Sequence, residues 1–174
     1  MIHQRGVVLL TRDVSHYWLK WMKEAKLNTL GIHPFYRKSV KHLNLTIKFF
    51  QSEKGKNLLS QFIKNGIDIE YEIHAISWLI PKKLFKDHPE YFRVNTFGNR
   101  TADHNLCVSN SNALEIITEN SKKLALALSP TTHRYHLWQD DGRNIFCHCD
   151  ECKKYSPSEQ NLLIMNAILK GLKA

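Results

Sequence analysis

Hydrophobic and polar positions alternate along the chain in a strand–helix rhythm. Gly6-Val7-Val8-Leu9-Leu10 is a short apolar run of the kind that forms a buried strand. Ser15 stands at a helix start, and Trp18, Trp21, Met22 and Ala25 follow at the i, i+3, i+4, i+7 spacing of one helix face. Leu27 to His33 predicts a second strand, stopped by Pro34, so this stretch is a βαβ unit. Leu58, Leu59, Phe62 and Ile63 mark the next helix, and Asn65-Gly66 supplies its end.

The segment from Ile67 to Trp78 predicts a third strand with unlike faces. Ile67, Ile69, Tyr71, Ile73 and Ala75 fall on one side, and Asp68, Glu70, Glu72 and His74 on the other. Pro81 to Phe92 reads as a short helix and turn, followed by an irregular excursion through Asn110. Ser111 to Leu128 predicts a long helix with Leu114, Ile117, Leu124 and Leu128 inward. His133 to Trp138 predicts a fourth strand. Ser158 to Leu172 predicts a last helix, with Leu162, Leu163, Asn166 and Leu169 on its marked face.

Four β/α units, with a loop excursion before the fourth, predict an α/β fold with a parallel sheet. A strand that is polar on one face is out of place in a doubly wound sheet, where helices cover both faces. It suits a (β/α) barrel, which turns one face inward and gathers polar groups at the C-terminal strand ends. A complete eightfold barrel takes roughly 250 residues. The 174 residues here carry material for about half of one. The expectation is a single partial TIM-type barrel domain over 1–174, with a Cys-rich loop at 147–152.

Composition narrows the class. Hydrophobic residues at 43% and charged residues at 24% are globular values, which excludes disordered and fibrous chains. Val7 to Leu10 is too short for a membrane span or a signal-peptide core. The chain as written is therefore expected to be cytoplasmic, and secreted or periplasmic if cut from a longer protein. The net charge of +9 is uneven: residues 1–87 hold 15 basic and 7 acidic side chains, residues 88–174 hold 10 and 9. The basic run from Lys20 to Lys64, with Arg37 and Lys38 in it, is compatible with a nucleic-acid partner or with a plain solvated face.

Three clusters can carry chemistry. Trp138-Gln139-Asp140-Asp141-Gly142 ends the fourth strand, where barrels place their sites. Adjacent carboxylates repel, which favours holding one of them protonated as a general acid, and Trp138 offers a flat apolar plate. Asp-Asp-Gly is equally a turn sequence. Glu70, Glu72 and His74 share a strand face and demand partners or a ligand; the alternative is a solvated edge strand. With the third and fourth strands adjacent, Glu72 or His74 is expected near the Asp140/Asp141 end. His33, before Pro34, ends the second strand on the same side. Cys149-x-x-Cys152 has the spacing of a zinc knuckle, Cys147 adds a third thiolate on the same loop, and Cys107 or His148 can complete four ligands. Disulfides or unliganded thiols are the alternatives.

Several stretches together resemble a known family: Leu27 to His33, Tyr71-Glu72-Ile73-His74, Pro81 to Phe92 with His88-Pro89-Glu90-Tyr91-Phe92, Leu106-Cys107-Val108-Ser109-Asn110, and Gln139 to Gly142 with Cys147 to Cys152. Their order resembles a bacterial family of domains of unknown function with a glycoside-hydrolase-type barrel, related to α-glucuronidases and β-hexosaminidases. The resemblance runs over roughly residues 6 to 174, and members are generally longer. It implies a carbohydrate-active protein acting on a glycan such as an acetamido sugar or a uronic acid. The adjacent acidic pair is also similar to the Asp-Asp of substrate-assisted β-N-acetylglucosaminidases, a cousin of that family, and this likeness implies that Asp140 steers a 2-acetamido group and Asp141 protonates the leaving oxygen; no organic cofactor is expected.

The leading expectation is thus a glycoside-hydrolase-like domain. Asp140, Asp141 and Glu72 are its candidate catalytic residues, and His74, His33, Trp138 and Trp78 its candidate substrate-binding residues. Cys107, Cys147, Cys149 and Cys152 are candidate ligands of a structural zinc. A second expectation is a non-catalytic sugar-binding or structural fragment that pairs as a homodimer through exposed barrel edges. A third, ranked last, is a zinc-containing nucleic-acid binder; the basic run and the cysteines lie in different halves of the chain.

Overall fold

A computed structural model describes residues 3–34 and 40–174. Arg37 and Lys38 of the basic run lie outside the described residues. In chain order the elements are β1 (Gly6–Leu10), α1 (His16–Glu24), β2 (Thr29–His33), α2 (Val40–Gln51), α3 (Glu53–Lys64), β3 (Asp68–His74), α4 (Ile76–Leu79), α5 (Ser111–Ala127), β4 (Tyr135–Trp138) and α6 (Pro157–Leu172). Short 3-10 turns occupy Lys82–Lys86, Pro89–Tyr91 and Cys152–Lys154. The four strands make one parallel sheet in the order β1-β2-β3-β4, which is an α/β fold. The chain forms two compact units, one from residues 1–73 and 127–138 and the other from 74–126 and 139–174.

The first unit holds the sheet and α1 to α3. Register pairs Val7 with Leu30 and Leu30 with Ile69, then Leu9 with Ile32 and Ile32 with Tyr71. These positions form the apolar face, on which Leu30, Ile32, Ile69 and Tyr71 are buried. Phe50 of α2 meets Tyr71 edge to face at 6.3 Å, so this helix packs on that side. The next register set, Val8, Gly31 and Glu70, points the other way.

Helix α2 has no counterpart in the pattern-based prediction, which leaves 40–51 as a basic stretch. Leu43, Thr46 and Phe50 are its buried positions, a sparse i, i+3, i+7 stripe on an otherwise polar helix. Thr46 Oγ1 and the Thr11 hydroxyl share a buried hydrogen bond of 2.8 Å that joins the end of β1 to α2. Ser52 caps α3 by accepting from the Gly55 amide, and Asn65-Gly66 ends it, Gly66 taking φ +74° as a C-terminal glycine does.

The second unit is built on α4 to α6 and the long excursion. Gly171 of α6 sits against α5 so closely that a Cβ there would stand 2.1 Å from the Thr118 carbonyl oxygen. Thr118 Oγ1 donates to the Ala167 carbonyl at 3.0 Å across the same contact. This contact sets the rotation of α6. Gln160, Ile164, Ile168 and Gly171 face inward, while Leu162 and Leu169 are exposed, the reverse of the predicted face. Ser156 caps α6, with Glu159 returning the bond in a capping box, two residues earlier than the predicted start.

A second correction concerns Trp78. The third strand stops at His74, and the Trp78 amide donates to the Ala75 carbonyl at 2.9 Å inside α4. Ala75 and Ile76 are both fully buried, which a period of two cannot arrange and a helical turn can. Trp78 is therefore a half-buried helix residue.

Candidate functional site

The polar face of the first unit is built by β3 and its neighbours. Glu70 is buried, and its carboxylate accepts from Arg134 Nη2 at 2.5 Å and from His136 Nε2 at 3.0 Å. Burial by itself raises the pKa of Glu70. Hydrogen bonds from Thr132, His136 and Arg134, with the guanidinium charge, outweigh it and hold the carboxyl below its ordinary range. One register step on, Glu72 extends over β2: a Cβ on Gly31 would lie 2.6 Å from Glu72 Oε1. Gln4, Gly6, Val8, Thr29, Gly31, Glu70 and Glu72 border an open cleft of 260 Å³ on this face.

His33 and Trp138 stand at the C-terminal ends of β2 and β4, on either side of β3. Their rings are 6.4 Å apart with an interplanar angle of 35°. His33 Nδ1 donates to the Pro34 carbonyl at 2.8 Å, which orients the imidazole. Trp138 remains exposed. One end of the sheet thus gathers a carboxylate, an imidazole and an indole. A larger cleft of 440 Å³, bordered by Arg12, His16, Lys54 and Asn57, contains none of the predicted site residues.

In the second unit the segment Gln139-Asp140-Asp141 is clamped by two histidines. His74 Nδ1 donates to the Gln139 carbonyl at 2.8 Å, and its Nε2 lies 3.4 Å from Asp141 Oδ2. Asp140 points away into the interior, where its Oδ2 accepts from Ser77 Oγ at 3.2 Å and from His104 Nδ1 at 3.2 Å. The side chain of Asp140 is 2% exposed and that of Asp141 is 71% exposed. The two adjacent carboxylates therefore live in different surroundings, each with its own histidine.

The cysteines form the third cluster, also in the second unit. Sγ atoms of Cys107, Cys147, Cys149 and Cys152 all lie within 4.8 Å of one another, and Cys107 is 3.7 Å from both Cys149 and Cys152. None is in a disulfide. Ser109 Oγ lies 3.2 Å from Cys107 Sγ and 3.4 Å from Cys152 Sγ, and the Val94 amide donates to Cys147 Sγ at 3.3 Å. Hydrogen bonds from the Cys147 and Cys152 thiols hold Cys107 below the ordinary thiol range against the effect of burial, and Ser109 and Arg100 add to this. The Cys107 neighbour correspondingly pushes Cys152 up to about 11. His148 stands outside the sulfur cluster, its ring 4.3 Å from that of Phe146 and tilted 31° to it.

Of the predicted site residues, Glu72, His33 and Trp138 come together in the first unit, and Asp140, Asp141 and His74 in the second; Trp78 belongs to the second unit through α4. Four contributors fall outside the predicted site residues. His104 is a lone histidine in an irregular loop. Arg134, just before β4, and His136 on it alternate, a period-two signal that matches Glu70. Gln160 is a polar residue in an apolar stripe: its amide donates to the carbonyls of Cys147 and Cys152 at 3.0 Å each and accepts the Cys147 amide at 3.0 Å. A buried side chain with three such bonds holds the cysteine loop in place.

A family model described as a domain of unknown function, DUF4838, matches residues 12–174. No curated protein matches the chain.

Proposed function

Starting from a chain that belongs to the DUF4838 family, we propose that it is a carbohydrate-active domain of partial (β/α)-barrel type, which binds a glycan on the polar face of its sheet. The observation that carries this is the unlikeness of the two sheet faces. Helix α2 packs on the apolar face, whereas the opposite face presents Glu72 and an open cleft bordered by the buried Glu70. Parallel sheets normally have both faces covered. A polar face that opens into a cleft, with its side chains already held in place, is suited to take a ligand.

The side chains suit a sugar. Trp138 supplies an apolar plate for a pyranose face, Glu72 accepts hydroxyl protons, and His33 adds a ring oriented by Pro34. Glu70 is neutralised by Arg134, whose exposed guanidinium suits a uronate or an acetamido carbonyl. Hydrolysis of a glycosidic bond is the reaction class that carboxylates serve, through an oxocarbenium-like transition state. In the second unit Asp141 is the exposed acid and Asp140 the buried one, so Asp141 is the carboxyl that meets solvent.

A thermal-shift screen tests this with N-acetylglucosamine, glucuronic acid, galactose and a thiazoline transition-state mimic. Binding stabilises the fold by mass action, about 2.7 kcal/mol at a hundredfold excess over Kd, so a ligand registers without turnover. A rise with an acetamido sugar or uronate that is lost in Glu72→Gln is the expected result. No shift with any sugar contradicts the proposal and favours a structural module.

The cysteine cluster is assigned to a structural zinc ion. A tetrahedron with metal–sulfur bonds of about 2.3 Å has sulfur–sulfur edges of about 3.8 Å. The 3.7 Å separations fit it. Four protein sulfurs leave no open position, so the ion serves folding. Cys107 from the excursion and the Cys147–Cys152 loop are tied together by it, and Ser109 and the Val94 amide stabilise the thiolate charge.

A further inference from the structure

His104 lies in a loop that is held with unusual thoroughness for an irregular segment. Arg93, itself buried, grips the Asp103 carboxylate with two bonds, Nε to Oδ1 at 2.9 Å and Nη2 to Oδ2 at 2.5 Å. The Thr101 hydroxyl and the His104 amide donate to the same carboxylate, and Lys82 Nζ donates to the Asp103 carbonyl. The next residue, Asn105, takes the left-handed backbone at φ +43° and is buried; its side chain donates to the Ile145 carbonyl and accepts from the Asp140 amide. A non-glycine residue in that conformation costs energy that the surrounding bonds must offset, and such positions gather at functional sites.

This framework aims one ring. His104 Nδ1 meets Asp140 Oδ2 at 3.2 Å, and Ser77 Oγ donates to the same oxygen. A carboxylate accepts and does not donate, so Nδ1 carries the proton and Nε2 is the basic nitrogen. The His104 side chain is 35% exposed while Asp140 is 2% exposed. The second carboxylate oxygen of Asp140, Oδ1, is buried without a hydrogen-bond partner among the described residues. A buried carboxylate held against a partly exposed imidazole is an arrangement that fixes a tautomer and stabilises an imidazolium.

We infer that His104 is a proton-transfer residue and Asp140 its positioning residue, so that proton chemistry in the second unit runs through an imidazole and not through the Asp140 carboxyl. The neutral ring takes a proton at Nε2 from a bound hydroxyl or water and returns it, the imidazolium being held meanwhile by Asp140. The charged groups around the ring are Asp140 and Asp103, with Arg93 and Lys82 bound to Asp103. The choice of glycosides as test substrates rests on the function proposed above; the dyad, which lies wholly within the second unit, does not.

Long-range ¹⁵N–¹H spectra of the full chain read the tautomer directly, with His104→Gln identifying the signals. The neutral ring of the wild type is expected in the Nδ1–H form, shifting toward Nε2–H in Asp140→Ala. The wild-type spectrum decides alone if that variant fails to fold, and an Nε2–H ring there overturns the inference. With fluorogenic acetamido and uronic glycosides, His104→Ala is expected to lose about 10²- to 10⁴-fold in kcat with KM little changed. Added imidazole restores part of that loss. An unchanged kcat overturns the role. A wild type that cleaves none of these glycosides counts against the glycan function, while the tautomer still judges the dyad.

Discussion

Gly31 leaves the space that the Glu72 carboxylate occupies: a Cβ at position 31 would stand 2.6 Å from Glu72 Oε1 and 3.1 Å from Val8 Cγ2. The nearest obstacle is the end of a flexible side chain, which moves cheaply. Gly31→Ala is therefore expected to change stability by only about 1 kcal/mol in either direction while displacing the carboxylate. Denaturant unfolding paired with ligand titration measures both. A variant that binds sugar as well as the wild type would show that the position of Glu72 is immaterial.

Gly171 gives the opposite case. The atom a Cβ would meet at 2.1 Å is the backbone oxygen of Thr118, with Ser121 Cβ at 2.9 Å beyond it. Neither can turn aside, so α5 and α6 must part. Gly171→Ala is expected to destabilise by about 1–3 kcal/mol or more, read from the denaturant midpoint. A variant as stable as the wild type would refute this close helix crossing.

Acid should weaken the first unit through Glu70. Its pKa in the fold lies below the ordinary glutamate value. A lowered carboxyl contributes stability that is present above the unfolded-state pKa and is lost as pH falls through the folded one. Stability is thus expected to fall with acid from about pH 4.5 downward. Glu70→Gln should flatten that limb and, by stranding Arg134 and His136, cost about 1–3 kcal/mol at neutral pH. A pH–stability curve identical in the variant and the wild type would contradict the pairing.

Removal of metal tests the cysteine assignment. The purified protein is expected to hold one zinc per chain by elemental analysis. A strong chelator should lower its melting temperature, because a structural zinc contributes several kcal/mol or more to folding. Cys107→Ser should reduce both the zinc content and the melting temperature. A metal-free chain with an unchanged melting curve would leave the cluster as free thiols.

Much of the fold is legible where a single period governs. The alternation from Ile67 to Ala75 separates Ile69, Tyr71 and Ile73 from Glu70 and Glu72, and register with β2 carries that separation across the sheet. The four cysteines are legible as a set because the thiolate spacing in 147–152 belongs to one loop. What escapes is set by tertiary contact. The inward face of α6 follows from the absence of a side chain at Gly171, which no count of leucines reveals. Helix α2 hides behind its lysines and one buried threonine. The division into two units is hidden because each takes two separated stretches of chain. His104 acquires its importance only from Asp140, 36 residues later.

The most direct test of the glycan function is chemical-shift mapping on the ¹⁵N-labelled chain during titration with an acetamido- or uronic-acid oligosaccharide. The account predicts perturbations at the amides of Gly31 and Glu72 and at the indole N–H of Trp138, all weakened in Glu72→Gln. An unperturbed spectrum, or shifts confined to the cleft beside Lys54 and Asn57, would contradict it.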